Sequence, residues 1–468
     1  MKVLLFGTGD YYERYKKWFV NEDVIALMDN SKEKQGKLID GHIVLSPLEA
    51  IKGSYDAIII LSFYIKSMKA QLVELGVLEN KIYHFFQLHD LLMGSYKKRK
   101  LISYNGIGKI TYLDYSKGFA QKKIVLFSHD LNLGGPALAL MNVALYLKSI
   151  GKDVIFVSMI DGPLAEKLLQ KGIELVVDEN LQIQTMNESV WQDEYQLIIC
   201  NTFNYYVFLS ERNLNIPVIW WLHDSRFFYD GVDIERLQSI NQYNLRCVSV
   251  GPVPKSAIHE FIPDLKIEDL IYGTEEVDIL YHKKKQRNDK IKFLIAGYIE
   301  YRKGQDILIE AIEGLAFDIL EQCEFIFVGQ NSSMMAHDLM ERTKGIKEIK
   351  FIGTVGREEM HKMMDEMDVL ICPSREDPMP TVCAEAMMHS KICVLSNSTG
   401  TSAFITDKVN GLVFKNQKVK ELKEQIEWCV ENKQTLLKMG IEARKVYEDY
   451  FSRTVFEKRL SILINAQI

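Results

Sequence analysis

The 468-residue chain has no run approaching the roughly 18 uninterrupted apolar residues that a membrane-spanning helix needs. Its opening, MKVLLFGTGDYYERYKKW, reaches a glycine loop and charges after four apolar residues. Neither a signal peptide nor a membrane span is therefore expected. The cysteines at 200, 247, 323, 372, 383, 393 and 429 show no C-x-x-C spacing and are odd in number. They lie mostly in or beside apolar strand-like runs, which argues against a disulfide framework and for reduced thiols in a cytosol. An excess of positive charge is missing as well: 57 basic against 63 acidic side chains leave a net charge of -6. Binding to nucleic acid through counterion release is not expected, and a small ligand is. No D-x-D follows a strand-like run and no histidine and carboxylate cluster has metal-ligand spacing, so no metal site is expected.

What is present is apolar material for several domains, 47% of the chain. One pattern of short apolar strand, glycine loop and helical period opens three times. The openings are KVLLFGTGD at Lys2, KKIVLFSHDLNLGGPALALMNVALYL at Lys122 and IKFLIAGYIEYRKGQDILIEAI at Ile291. Between them, runs such as YDAIIIL, YQLIIC, PVIWWL, EFIFVG and DVLICPS alternate with helix-length amphipathic stretches. Strand alternating with helix means α/β architecture with parallel sheets. The expected division is a Rossmann-like domain over 1–93, a linker over 94–121, a second such domain over 122–275, a linker over 276–289 and a third domain over 290–468. The linkers carry the basic runs Lys97 to Lys100 and Lys283 to Arg287. These suit a solvated linker or, as the alternative, a peripheral contact with the anionic inner leaflet of a membrane.

Parallel sheets bind ligands beyond the carboxyl ends of their strands. Gly134 and Gly135, after IVLFS, open a helix whose free amides suit a phosphate. His223 and Asp224 end PVIWWL at a rim, and Arg302, Lys303 and Gly304 follow FLIAG, where cations would clamp a diphosphate. In PSREDPMPTVCAEA, Asp377 falls in a loop held extended by Pro378 and Pro380, and Glu385 on the helix beyond it. The amides of Met379, Thr381 and Val382 lie between the two carboxylates. Each of these features taken singly also fits a capping or packing role.

Taken as an ordered set, LNLGGPALAL, WWLHD, YRKGQDILIEAI, FVG, FIGTV, DVLICPSREDPMPTVCAEAM and DKVNGLVF resemble the GT-B glycosyltransferases. More narrowly, the stretch from Lys122 to Ile468 is similar to family 4 of the retaining enzymes, also called group 1. The resemblance implies a hexosyltransferase of bacterial cell-surface polysaccharide synthesis. It would take a nucleoside diphosphate sugar and a glycan or lipid-linked acceptor, need no cofactor or metal, and work in the cytoplasm, free or membrane-associated. By position, it implies catalytic roles for His223, Lys303 and Asp377. Donor contacts are implied for Gly134, Gly135, Arg302, Met379, Thr381, Val382 and Glu385, with Asp377 on the sugar and Glu385 on the ribose, and a last helix packing back on the second domain. This chain departs from the family in having Tyr298 after Gly297 where Gly-Arg is usual, and Asp377-Pro378-Met379-Pro380 where Glu-Gly-Phe-Gly is usual.

The first module resembles the epimerase-like or sugar-acyltransferase N-terminal domains of some bacterial polysaccharide enzymes. Gly7, Gly9 and Asp29 would form a second nucleotide site, although Tyr12 breaks the G-x-G-x-x-G pattern. Because every transferase motif follows Lys122, residues 1–93 are expected to be dispensable for transfer. Two alternatives follow from the same residues: a nicotinamide-dependent oxidoreductase using the first module, and a non-catalytic sugar-nucleotide-binding scaffold.

Overall fold

The computed structural model describes residues 1–92, 95–104, 110–113, 123–193, 195–277 and 290–467. Three sheets organise them. In the first, strands run in the order Leu38–Ile39, His42–Leu45, Asp23–Met28, Lys2–Phe6, Ala57–Ile60, Ile82–His84. All neighbours are parallel except the edge hairpin of Leu38–Ile39 with His42–Leu45. The second sheet is centred on Ile124–Ser128, with Val154–Ser158 and Glu174–Val177 on one side. Leu197–Asn201, Val218–Leu222, Leu245–Ser249 and Ile267–Asp269 follow on the other side. The third is wholly parallel: Ile349–Gly353, Cys323–Val328, Ile291–Ala296, Val369–Cys372, Ile392–Ser396, Leu412–Phe414.

The central strands read as unbroken apolar runs because helices cover both faces. Every residue of Ile124–Ser128, Val218–Leu222 and Val369–Cys372 is buried. All seven cysteines are buried and unpaired. Among the described residues, no helix is long and apolar enough to cross a membrane.

The linker expected over 94–121 is partly sheet. Leu101–Tyr104 pairs antiparallel with Glu174–Val177, and Ile110–Leu113 pairs outside it. Four residues of in-out alternation are too short to stand out as periodicity, which is why the segment reads as a linker in the sequence. The basic run before it is tied to its own domain. The Arg99 amide donates to Asn180 at 2.8 Å, and the Arg99 guanidinium pairs with Glu179 at 3.0 Å. The second basic run, Lys283 to Arg287, lies outside the described residues.

The second and third domains share a core at the chain's end. The helix Arg453–Asn465 sets Phe456 flat against Trp221, ring centroids 5.9 Å apart. Thr274 donates its amide to Phe451 and accepts from the Tyr447 hydroxyl at 3.1 Å. The first domain is equally well fixed to the second. Trp18 donates to Gln182 at 3.2 Å, His89 meets Glu188 at 3.1 Å, Lys66 pairs with Asp230 at 2.6 Å, and Lys17 and Arg236 pair with Glu179 and Asp90. Apolar contact joins the same surfaces, because Ile183 belongs to the first domain's core and Phe86 packs on Phe203 and Tyr206.

Candidate active site

Four strand ends converge on one cleft of about 430 Å³. Ile124–Ser128 delivers His129 and Asp130, Val218–Leu222 delivers His223 and Asp224, and the segments after Ile291–Ala296 and Val369–Cys372 deliver Arg302, Lys303 and Asp377 to Thr381.

Glycine geometry brings the third domain's groups together. Gly304 has φ +69°, and a Cβ there would stand 2.2 Å from the Pro373 carbonyl oxygen. Only glycine lets the turn carrying Lys303 lie directly on the loop carrying Asp377. Lys303 then donates to Asp377 at 2.6 Å, with Arg302 at 3.9 Å from the same oxygen. The far side of the loop is pinned too. The Asp377 amide donates to Ser398, Gly400 donates to the Asp377 carbonyl at 2.8 Å, and a Cβ on Gly400 would meet the Pro378 carbonyl at 1.8 Å.

Two helix N-termini open on the cleft. Gly134 caps the helix Gly135–Ser149 without a side-chain cap, and Leu138 is the first amide bonded back, to Gly134 at 3.1 Å. Pro136 brings no amide, so Gly135 and Ala137 are the free donors of this turn. A Cβ at Gly134 or Gly135 would meet nothing within 4 Å, so these glycines keep space open beside the helix end instead of allowing close packing. The helix Thr381–Met388 starts after Pro380, and Cys383 is its first amide bonded back, which leaves those of Thr381 and Val382. Met379 is buried, its sulfur accepting from Thr401 at 3.4 Å.

Charge in the cleft is set by burial. Burial works against the Lys303 ammonium, but Asp377 outweighs it and holds the lysine above its ordinary pKa. Burial pushes His223 down to about 3, helped by His129, so its imidazole is neutral at pH 7. Its Nε2 is buried and, among the described residues, without a hydrogen-bond partner. Burial also raises Asp224, although the Phe203 amide donates to it at 2.6 Å. Glu385 is raised by burial with Arg357 opposing, and among the described residues no hydrogen bond or ion pair reaches its carboxylate. It stands one turn into its helix, outside the residues lining the main cleft.

The neutral histidines carry a prediction for pH. His223 and His84, the latter lowered to about 4 by burial and Lys69, take up protons in the unfolded chain near pH 6.5 but not in the folded one. Below pH 6.5 the unfolded state therefore binds more protons, and stability falls as pH drops towards about 4. The slope is up to ~1.4 kcal/mol per pH unit for each group. Urea midpoints at pH 7.5 and 5.0 check this, and His84→Gln should reduce the difference; equal midpoints in the wild-type protein would contradict it.

Gly7, Gly9 and Asp29 line a separate cavity of about 350 Å³ on the first domain. The Asp29 carboxylate is already engaged. It accepts from the Thr8 amide at 3.1 Å, the Thr8 hydroxyl and the Ser31 amide at 2.9 Å, and it pairs with Lys34 at 3.3 Å. Gly7 is accounted for by φ +108° and the Leu61 carbonyl, 2.5 Å from where its Cβ would be. These contacts hold the Asp29 carboxylate at the edge of the cavity, with one oxygen accepting only the Ser31 amide.

Several cleft residues escape sequence reasoning. Asp130 and His129 directly follow a strand, the same signal that marks His223. Tyr272 lines the cleft with a buried hydroxyl that has no hydrogen-bond partner among the described residues, and nothing in its neighbourhood IYGTEE announces it. Tyr11, Arg14, Tyr15, Phe63, Phe85 and Phe86 come from the first domain. The expectation that residues 1–93 are dispensable does not fit this geometry, because removing them would take away a wall of the cleft and bare Phe203 and Tyr206.

Two facing parallel α/β domains with a phosphate-suited cleft between them, tied by a C-terminal helix, constitute the GT-B architecture. Comparison with known proteins is specific. Residues 278–446 match the family glycosyl transferases group 1, residues 120–249 match glycosyl-transferase family 4, and residues 1–83 match C2185-like, N-terminal. Over residues 278–446 the chain thus matches the group 1 glycosyltransferases, and its fold is GT-B.

Among curated relatives, D-rhamnosyltransferase WbpZ of Pseudomonas aeruginosa is 24% identical over 163 residues, 34% of this chain and 41% of that protein. An uncharacterized glycosyltransferase of Methanocaldococcus jannaschii is 29% identical over 129 residues, 27% of this chain and 32% of that protein. The matched stretches thus span less than half of these relatives. In fold, Anabaena HepE in complex with UDP and glucose superposes with TM-score 0.60 at 18% identity, over 74% of this chain and 100% of HepE. The lipopolysaccharide outer core galactosyltransferase WaaB gives 0.61 at 12%, over 74% and 100%. These likenesses concern the fold.

Proposed function

We propose that the protein transfers a hexose, with retention of configuration, from a nucleoside diphosphate sugar to a glycan or lipid-linked acceptor in bacterial cell-surface polysaccharide synthesis. The observation that carries this is the Lys303–Asp377 pair at 2.6 Å, set between two helix N-termini and facing the neutral His223 across the cleft. A nucleotide sugar presents hydroxyls at both ends and anionic charge in the middle. Amides and cations in the middle with carboxylates outside them are its complement. WbpZ is named for sugar transfer and HepE holds UDP and glucose, which supports the class of donor.

In this reading the acceptor hydroxyl attacks the anomeric carbon on the face the diphosphate leaves. The bond from that carbon to the phosphate oxygen breaks, the bond to the acceptor oxygen forms, and the departing phosphate oxygen takes the acceptor proton. Lys303, Arg302 and the amides of Thr381 and Val382 neutralise the leaving charge, so no metal is required. His223, at the end of its strand, would lie near the donor sugar. Asp377 holds sugar hydroxyls, and Glu385 holds the ribose.

Thermal unfolding with UDP, GDP, dTDP and NAD tests the class. One nucleoside diphosphate at about 100 times its Kd should stabilise by roughly 2.7 kcal/mol. Sugar transfer should then persist in EDTA. Stabilisation by NAD alone would overturn the reading, and loss of transfer restored by Mn2+ or Mg2+ would overturn its metal independence.

A further inference from the structure

The cleft has a wall that neither family domain of the transferase supplies. The short helix Asp10–Tyr15 and the segments around Phe63 and Phe85 belong to the first domain, yet they line the same cavity as Lys303 and Asp377. Tyr11 and Phe63 meet edge to face with centroids 4.6 Å apart, backed by Phe85 at 4.8 Å from Tyr11. The platform is locked to the second domain, because Phe63 also packs on Phe228 at 5.4 Å and the Tyr206 hydroxyl donates to the Phe86 carbonyl at 3.3 Å.

Beside it Arg14 lies over the Tyr11 ring at 5.2 Å, and among the described residues no carboxylate pairs with it. Asp130 and Asn204 of the second domain border the same space. Half-buried aromatic faces flanked by a guanidinium, an amide and a carboxylate suit a pyranose ring. Its C–H face stacks on an aromatic while its hydroxyls reach polar groups at the edge.

We propose that the N-terminal domain builds the acceptor subsite, with Tyr11 and Phe63 as the stacking platform for the acceptor sugar ring and Arg14 as its polar clamp. This rests on the donor being held by the third domain. With the diphosphate against Lys303 and the Thr381 helix end, the open side of the reacting centre is the one these residues face. The first domain is then part of the transferase site, and its aromatic surface selects which sugar ring is presented.

Saturation-transfer NMR tests this with two probe sets, methyl hexopyranosides and the corresponding hexose 1-phosphates, each added with UDP. At least one pyranoside or phosphate should receive saturation on its ring protons in the wild-type protein. That signal should fall at least fivefold in Tyr11→Ala and in Arg14→Gln, while UDP affinity in both variants stays within twofold of wild type. Arg14 is half-buried at the edge of the platform and its replacement keeps a polar side chain of similar length, so Arg14→Gln is the variant that keeps the fold if Tyr11→Ala does not. A loss in Arg14→Gln confined to the 1-phosphates would identify the acceptor as anionic, and a loss on both sets a neutral ring. Undiminished signal in both variants, or no saturation of any probe in wild type that binds UDP, would overturn the proposal. Failure of wild type to bind any nucleoside diphosphate would instead sink the donor reading on which it rests.

Discussion

Lys303→Ala is expected to lower kcat for sugar transfer by about a hundredfold or more, the scale for losing one preorganised charge opposite a leaving group. The reason lies in placement as much as in charge. Lys303 is fixed by Asp377 at 2.6 Å and, in the proposed reaction, faces the diphosphate whose negative charge grows as the anomeric bond breaks. Arg302 does not replace it in full, because two of its donors are already committed to Glu300 at 2.7 Å and to the Glu376 carbonyl at 3.1 Å. Removal also strands Asp377, only 5% exposed, without its nearest cation. The melting curve of the variant must therefore be recorded beside its kinetics, and Lys303→Arg should recover part of the rate. Unchanged kcat in a folded Lys303→Ala protein would remove the lysine from the mechanism.

The second large effect is structural. Gly304→Ala puts a Cβ 2.2 Å from the Pro373 oxygen at φ +69°, and backbone carbonyl cannot yield as a side chain can. A loss of about 2 to 3 kcal/mol is expected, together with a fall in turnover as the Lys303 turn is lifted off the Asp377 loop. Gly314→Ala is the control. It too lies in the third domain, but its Cβ would meet only ordinary contacts from 3.6 Å outward and φ is negative, so the calorimetric melt should barely move. Equal melts for the two variants would contradict the close approach at Gly304.

The parallel sheets were legible because buried strands announce themselves as unbroken apolar runs. YQLIIC and PVIWWL became Leu197–Asn201 and Val218–Leu222. Residues in the segments that follow such strands, His223, Lys303 and Asp377 among them, could be picked out because a parallel sheet gathers its strand ends on one side. Contacts between domains could not. Nothing local in YYERY marks Tyr11 and Arg14 as facing a cleft whose other walls lie hundreds of residues on, and the strand Leu101–Tyr104 is too short to show alternation. The partners of Asp29 were out of reach for a related reason: the fingerprint shows where a carboxylate falls, and its capping of Thr8 and Ser31 appears only in three dimensions.

The donor grip is tested most directly by calorimetric titration of wild type, Glu385→Ala and Asp377→Ala with the nucleoside diphosphate that binds best. The diphosphate has a ribose and no hexose. Glu385→Ala should weaken it by roughly 1.5 to 3 kcal/mol, the scale for charge-assisted hydrogen bonds. Asp377→Ala should leave affinity unchanged or raise it, since Lys303 then loses the anion that competes with the phosphates. Equal losses in the two variants would contradict a grip with one carboxylate at each end of the sugar nucleotide.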